Sequence, residues 1–353
     1  MEESFPMTGG DGPYSYAKNS NLQKEAAENA KALLVAAITK NLEINKQKIC
    51  PISSSFRIVD FGCSTGPNTF IAVDTIIEAV SKTFHDHVPE FHVFFSDHVS
   101  NDFNILFTNL PKDRTYFAAG VPGSFHRRLF PRASLNLAYS SHALQWLSKT
   151  PAEVEDSSSP AFNKGKIFYA KAAEQVGEAY RRQHEEDMAS FFNARSEELA
   201  PGGLLAILMS GREDGSSPAQ SSLGPFLAPL ESTLVDMANE GVISHEKLDS
   251  FNLPIFSPSP EEIRKIIQKN GCFEISRLEL QPRTFRPMII TPEQCRAGFE
   301  SIISKHFNDN NNNQNIVDQI FSRYSKKIEG CSPISADDKS IATGLFLSLK
   351  RKS

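Results

Sequence analysis

Two aspartates and a pair of glycines are the first residues in this chain that could do chemistry. The run Val59-Asp60-Phe61-Gly62-Cys63-Ser64-Thr65-Gly66-Pro67-Asn68 continues an apolar stretch that begins at Phe56. It precedes Thr69 to Val80, whose apolar residues recur at helical spacing. Strand, glycine turn and helix in that order make a nucleotide-binding opening, since a Cβ at either glycine would fill space that a cofactor needs. Phosphate-cradling versions do not fit: no Lys-Ser/Thr follows the second glycine, and the G-x-G-x-x-G spacing is absent. The turn spacing therefore disfavours a dinucleotide-dependent dehydrogenase. A second acid, Asp97, ends the apolar run Phe91 to Phe95, 37 residues beyond Asp60, where dinucleotide folds place theirs after about 20. An acid there can accept both ribose hydroxyls of an adenosine, or it can cap a helix over Asn101 to Asn104.

The elements that must position these groups read as a strand–helix alternation. Tyr116 to Val121 and Leu135 to Ser140 are further strands, running into Val121-Pro122-Gly123-Ser124-Phe125 and Ser141-His142-Ala143-Leu144-Gln145-Trp146-Leu147. Ligands of open α/β sheets bind beyond the carboxyl ends of strands, and Asp60, Asp97, Ser124 and Ser141 all fall there. A helix is expected over Leu22 to Leu42. After a loop from Pro151 to Gly165 come a long polar helix (Ala170 to Leu199) and a buried strand (Gly203 to Met209). Gly211 to Pro225, rich in Gly, Ser and Pro, is expected to be mobile. Helices follow over Phe226 to Glu240 and Glu261 to Asn270, then a strand over Phe273 to Leu280 and an irregular apolar stretch from Gln281 to Pro292. Helices over Gln294 to His306 and Val317 to Glu329 flank an exposed tract, Asn310 to Asn313, and Ile341 to Leu349 closes as a strand. The organisation expected is an N-terminal lid and helix (1–50), core (51–150 and 151–210), a mainly helical cap (211–335) and a final core strand (336–353).

Size and composition narrow the class. A chain of 353 residues suffices for one large α/β domain with an added cap, or for two domains. Its net charge of −5 gives no footprint for nucleic acid. No apolar run reaches the roughly 20 residues of a membrane helix, and the acidic start Met-Glu-Glu-Ser-Phe-Pro-Met lacks a secretory core. A cytoplasmic location is expected. The odd, scattered cysteines, Cys50, Cys63, Cys272, Cys295 and Cys331, suit free thiols in a reducing compartment.

The pattern D-x-G-x-x-x-G resembles the first motif of methyltransferases that use S-adenosyl-L-methionine. Further motifs make the resemblance specific: Met7-Thr8-Gly9-Gly10, Ser15-Tyr16-Ala17-Lys18-Asn19-Ser20-Asn21-Leu22-Gln23, DFGCSTGPN, SDHVSNDFN from Ser96, VPGSFHRRLFP, SSHALQWLSKTP, Asn163-Lys164-Gly165 and LDSFNLP from Leu248. Together they resemble, in order and over essentially the full chain, the plant SABATH family of small-molecule methyltransferases. The resemblance implies an α/β, Rossmann-like class I fold with a mostly parallel seven-stranded sheet, an α-helical cap and a homodimer. It implies that Tyr16, Ser20, Asp60, Cys63, Asn68, Asp97, His98, Ser124, Phe125 and Ser141 hold S-adenosyl-L-methionine, Phe125 stacking on adenine.

For the acceptor, Gln23 and Trp146 resemble the clamp of the carboxyl-methylating branch, two neutral donors that orient an anion without the strong pairing of an arginine. His142 stands where the family commonly has tyrosine, and His98 where it has an apolar residue. Pocket walls are expected from His142, Phe226, Leu227, Phe256, Cys295 and Gly298, whose small and apolar character suits an apolar acid larger than one benzene ring. A Mg2+ site in relatives corresponds to Asn163, Asp249, the Phe251 carbonyl and Asn252, structural or optional here. The expected activity is conversion of a small plant carboxylic acid to its methyl ester. The alternatives are N-methylation of a purine-like alkaloid, and an inactive relative that binds cofactor or acid.

Overall fold

The computed structural model describes residues 5–49, 55–84, 88–221, 223–281, 290–308, 314–329 and 343–353. Seven strands, β1 (Phe56–Phe61), β2 (Phe91–Asp97), β3 (Tyr116–Pro122), β4 (Leu135–Ser141), β5 (Leu199–Gly211), β6 (Phe273–Gln281) and β7 (Thr343–Arg351), form one sheet ordered β3-β2-β1-β4-β5-β7-β6. Neighbours from β3 to β5 pair in parallel, and β7 runs antiparallel to both β5 and β6. The helices are α1 (Tyr16–Asn19), α2 (Asn21–Ile49), α3 (Pro67–Phe84), α4 (Phe103–Thr108), α5 (Glu174–Glu198), α6 (Gly224–Asn239), α7 (His245–Asp249), α8 (Pro260–Asn270), α9 (Pro292–Phe307) and α10 (Gln314–Glu329).

Strand periodicity divides the core. Leu204, Ala206 and Leu208 of β5 join Leu34 and Ile38 of α2 and Val73 and Ile76 of α3 in one apolar cluster. The alternate residues Leu205, Ile207 and Met209 join Met188, Phe191 and Phe192 of α5 and Ile263 and Ile266 of α8 in another. Successive side chains point to opposite faces, so a sheet covered on both sides needs the continuous apolar runs that the sequence shows. A third cluster, with Leu230, Leu234 and Met237 of α6, Ile302 and Ile303 of α9 and Ile320, Phe321 and Tyr324 of α10, is the core of a helical cap. Strand order reverses at β1, which pairs with both β2 and β4; a crevice opens beyond the carboxyl ends at such a switch point.

Differences from expectation have local causes. Helix α5 starts at Glu174 rather than Ala170, because Lys171 sits at φ +57° and Ala173 is extended. The stretch from Gly211 to Pro225, expected to be mobile, is anchored. Arg212 is buried and pairs with Glu262, Ser217 and Gln220 form a capping box, and the Lys171 amide donates to the Ala219 carbonyl. Cys63, Cys272 and Cys295 are free thiols. Cys50, Cys331, the Asn310–Asn313 tract and most of the Gln281–Pro292 stretch lie outside the described residues. Among the described residues no helix is long and apolar enough to cross a membrane.

Candidate active site

A cavity of about 200 Å3 lies beyond the ends of β1, β2 and β4, between the sheet and the cap. Gly62 forms its floor at φ +81°; a Cβ there would stand 2.2 Å from that of Ala143. No L side chain fits the position, and backbone approaches the cavity unscreened. Asp97 lines the wall with its carboxylate fixed twice, Oδ2 accepting from the Ser64 amide and Oδ1 from the His98 amide, each at 2.7 Å. It therefore does not cap α4. That role belongs to Asp102, which accepts from the Ile105 amide at 3.0 Å.

Asp60 is 4% exposed and stands behind the turn, accepting from Thr69 Oγ1 at 2.5 Å. Burial is the main force that pushes its carboxyl up to about 7; the Thr69 bond opposes this and the charge of Asp97 adds to it. Burial likewise raises Asp97, against the Ser64 amide bond, the charge of His98 and the His98 amide bond. Neither acid has a Lys or Arg ion-pair partner among the described residues. Two desolvated carboxyls without a Lys or Arg partner, with only the His98 ring as a basic neighbour of Asp97 among the described residues, favour a cationic ligand beside them.

The ten residues expected around the cofactor divide into two layers. Tyr16, Asp97, His98, Ser124, Phe125 and Ser141 line the cavity. Ser20, Asp60, Cys63 and Asn68 stand one layer behind. Asn68 Nδ2 donates to the Ser20 carbonyl and hydroxyl at 3.1 and 3.0 Å, bolting the glycine turn to the N-terminal segment. The Cys63 thiol is buried, which raises it well above its ordinary value and keeps it neutral. Rings of His98 and Phe125 lie 6.2 Å apart at 48°, a tilted pair along one wall.

Gln23 and Trp146, far apart in sequence, line the same cavity. Trp146 is aimed by a backbone bridge to Ile255 and by its flanking rings, Phe5 at 6.4 Å and Phe299 at 6.0 Å. Gln23 Oε1 is buried with no hydrogen-bond partner among the described residues. Nothing there fixes which end of the amide faces inward, so its N–H end can turn to an anion. His142 also lines the cavity, at φ +54°, its amide donating to the Leu208 carbonyl at 2.7 Å.

Phe226, Leu227 and Gly298 form the cap-side wall as expected, with open space beside Gly298. Phe256 and Cys295 do not. Phe256 is fully buried against the rings of Tyr169 and His184, and Cys295 is buried in the cap core, its thiol engaged by Tyr324. Sequence reasoning missed Phe5, Gln145, Leu223, Ile255 and Phe299. Leu223 stands one helical turn before Leu227, and Gln145 adjoins Trp146, so spacing from residues already named could have found both.

The residues expected around Mg2+ meet in a cap junction. Asn163 Nδ2 donates to Asn252 Oδ1 at 2.7 Å, and Asp249 Oδ1 accepts from the Gly165 amide at 2.7 Å. Oxygens suit that ion, but these two already serve as acceptors, and a single carboxylate supplies little charge. The arrangement fits a hydrogen-bonded junction better than a metal centre.

The fold and the glycine turn define a methyltransferase that uses S-adenosyl-L-methionine. The sequence model of the family described as SAM dependent carboxyl methyltransferase matches residues 2–352. Loganic acid O-methyltransferase of Catharanthus roseus is 42% identical over 361 residues, covering 99% of this chain and 95% of that protein. Indole-3-acetate O-methyltransferase 1 of Oryza sativa subsp. japonica is 38% identical over 300 residues, covering 78% and 73%. A solved structure of loganic acid methyltransferase with SAH superposes with a TM-score of 0.91 at 41% identity, covering 99% of each chain. This chain belongs to the SAM-dependent carboxyl methyltransferases, the plant SABATH family.

Proposed function

We propose that the acceptor is an apolar organic acid bulkier than a single benzene ring, its carboxylate oriented by Gln23 and Trp146. One observation carries this reading: both neutral donors line a cavity whose cap side is apolar and open at Gly298, with no Lys or Arg among the described lining residues. Acids of quite different shape are named for relatives, loganic acid and indole-3-acetate among them, which agrees with a common clamp and a variable wall.

The sulfonium of S-adenosyl-L-methionine supplies an electrophilic methyl. An organic acid with a pKa near ~4–5 is already ionised at neutral pH, so no general base is needed. The residues then act by placement. Gln23 and Trp146 hold the oxygen, while Gly62, Asp97 and the Ser124–Phe125 wall form the opposite end. Well-oriented reactions gain roughly 7–11 kcal/mol in this way. The N-terminal segment closes the cavity: Phe5, Pro6 and Met7 line it, Thr8 donates to the carbonyls of Ala297 and Arg296 on α9, and the Gly10 amide donates to Asp102 on the core.

The proposal extends to a cap junction that works without metal, so that a chelator leaves turnover unchanged. It extends also to a reducing, cytoplasmic setting, favoured by the three free thiols. A homodimer is proposed across the β3 edge, where Phe117 is 64% exposed; Phe117→Lys then yields monomers in sedimentation.

The direct test incubates purified protein with methyl-labelled cofactor and acids from benzoate to sesquiterpenoid size. Base-labile methyl ester should form faster from the larger apolar acids. Turnover of xanthines in place of acids, or cofactor binding without ester, would overturn the reading.

A further inference from the structure

Among the described residues, the two charges most completely withdrawn from water lie outside the cavity. Arg195 and Glu198, in the last turn of α5, are both 0% exposed and paired at 2.7 Å. A buried ion pair is weak evidence for stability, because desolvation offsets most of the attraction. Its bonds point instead to one loop. Arg195 donates to the Phe125 carbonyl at 2.5 Å and to the Arg127 carbonyl at 2.8 Å. Glu198 Oε1 accepts from the amides of Leu129 and Phe130 at 2.5 and 2.9 Å. The guanidinium carbon lies 4.1 Å from the centroid of the ring of Phe61, the residue before Gly62.

We propose that the Arg195–Glu198 pair is a positioning device for the cofactor. It holds the Phe125–Phe130 loop and the Gly62 turn at a fixed separation, so that the wall carrying Ser124 and Phe125 is formed before the cofactor arrives. Four backbone tethers on six consecutive residues replace the regular structure this loop lacks. A guanidinium is needed because only its planar fork can reach two carbonyls and a carboxylate at once. Neither side chain lines the cavity, so the pair acts through the loop. The inference rests on the assignment of that wall to the cofactor.

Arg195→Lys keeps the charge and gives up the fork. It should raise the KM for S-adenosyl-L-methionine and the Kd for S-adenosyl-L-homocysteine at least about tenfold, the equivalent of ~1.4 kcal/mol. At saturating cofactor, kcat and the KM for the acid should stay within about twofold, a split that general loosening of the fold would not produce. The double variant Arg195→Met/Glu198→Leu avoids stranding a buried charge but leaves the loop carbonyls and amides without partners. It should melt below the parent, and at a temperature where it is still folded it should bind cofactor weakly. In the unaltered protein, the Leu129 and Phe130 amides should exchange hydrogen slowly before S-adenosyl-L-homocysteine is added, and little more slowly afterwards. Unchanged cofactor affinity in folded variants, or fast exchange that the ligand suppresses, would overturn the inference. A rise confined to the KM for the acid would instead overturn the assignment of the wall.

Discussion

The two halves of the cavity are built on opposite rules. Toward the sheet, polar side chains are committed to fixed partners: Asp97 to two backbone amides, Asp60 to the Thr69 hydroxyl, Asn68 to the Ser20 carbonyl and hydroxyl. Toward the cap, the wall is Leu223, Phe226, Leu227, Ile255 and Phe299, and the Gln23 amide oxygen is left without a partner among the described residues. A donor that never changes can be met by a fixed, hydrogen-bonded cradle. An acceptor whose shape differs between relatives is met by packing, which changes with single side chains. If this division holds, damage on the sheet side should spoil every substrate alike, and damage on the cap side should discriminate among acids.

The largest effect is expected at Gly62. An alanine would need φ +81° and would place its Cβ 2.2 Å from that of Ala143. A non-glycine residue in that region costs roughly 1–2 kcal/mol before the clash is counted, and displacing the turn by 1 Å costs about 100-fold in rate. Gly62→Ala should therefore lose more than about 100-fold in kcat/KM for every acid, together with S-adenosyl-L-homocysteine binding by calorimetry. Retained cofactor affinity would break the comparison at its base.

Next come the two donors. Trp146→Phe keeps the ring between Phe5 and Phe299 and removes one N–H; Gln23→Leu removes the amide. A hydrogen bond to a charged group contributes about 1.5–3 kcal/mol, so each change should cost about 10- to 100-fold in kcat/KM for acids. Cofactor affinity should stay within about twofold, and equal loss of both would show that the donors do not serve the acceptor. A smaller and more selective effect is expected at Gly298, where an added Cβ meets nothing within 4 Å. Gly298→Leu should cost about tenfold in KM for the bulkiest acids, the scale of a few methylenes in an apolar pocket, and leave benzoate untouched.

The same division marks what could be read from the sequence. Strands covered on both faces are continuous apolar runs, so Phe56–Phe61 and Gly203–Met209 declared themselves, and the cofactor turn is local, its parts lying within ten residues. The cap wall is assembled from distant segments. Cys295 and Gly298 stand one turn apart on α9, yet Gly298 faces the cavity and Cys295 faces Tyr324. Both fall on the apolar side of α9, opposite the stripe of Glu293, Arg296, Glu300 and Ser304, so helical spacing alone does not divide them. The Arg195–Glu198 pair is hidden for a related reason. It reads as an ordinary i,i+3 surface pair on a polar helix, and only the path of the distant Phe125–Phe130 loop shows what its charges hold.

The smallest effect is on stability, and it sharpens the claim that the sheet side is poised for positive charge. The Asp60 carboxyl is raised from 3.8 to about 7 in the folded chain, chiefly by burial. Between those values the folded state holds a proton that the unfolded chain has released, so folding takes up protons. The stabilisation is complete below the unfolded value and is lost as pH rises through the folded one. The cofactor-free protein should therefore melt progressively lower from about pH 4 to about pH 7, by no more than about 2–4 °C for each kcal/mol withdrawn. Asp60→Asn cannot ionise and should reduce that slope to the share of Asp97, which burial also raises. Saturating S-adenosyl-L-methionine should flatten it too in the parent protein, since a cation beside Asp60 favours the ionised carboxyl in the folded state. The neutral thioether S-adenosyl-L-homocysteine should do so less. Melting curves across this range, with each ligand and with none, separate the outcomes. An equal slope in the Asn variant would place the titration on another group, and equal effects of the two ligands would mean that the cradle does not sense the sulfonium charge.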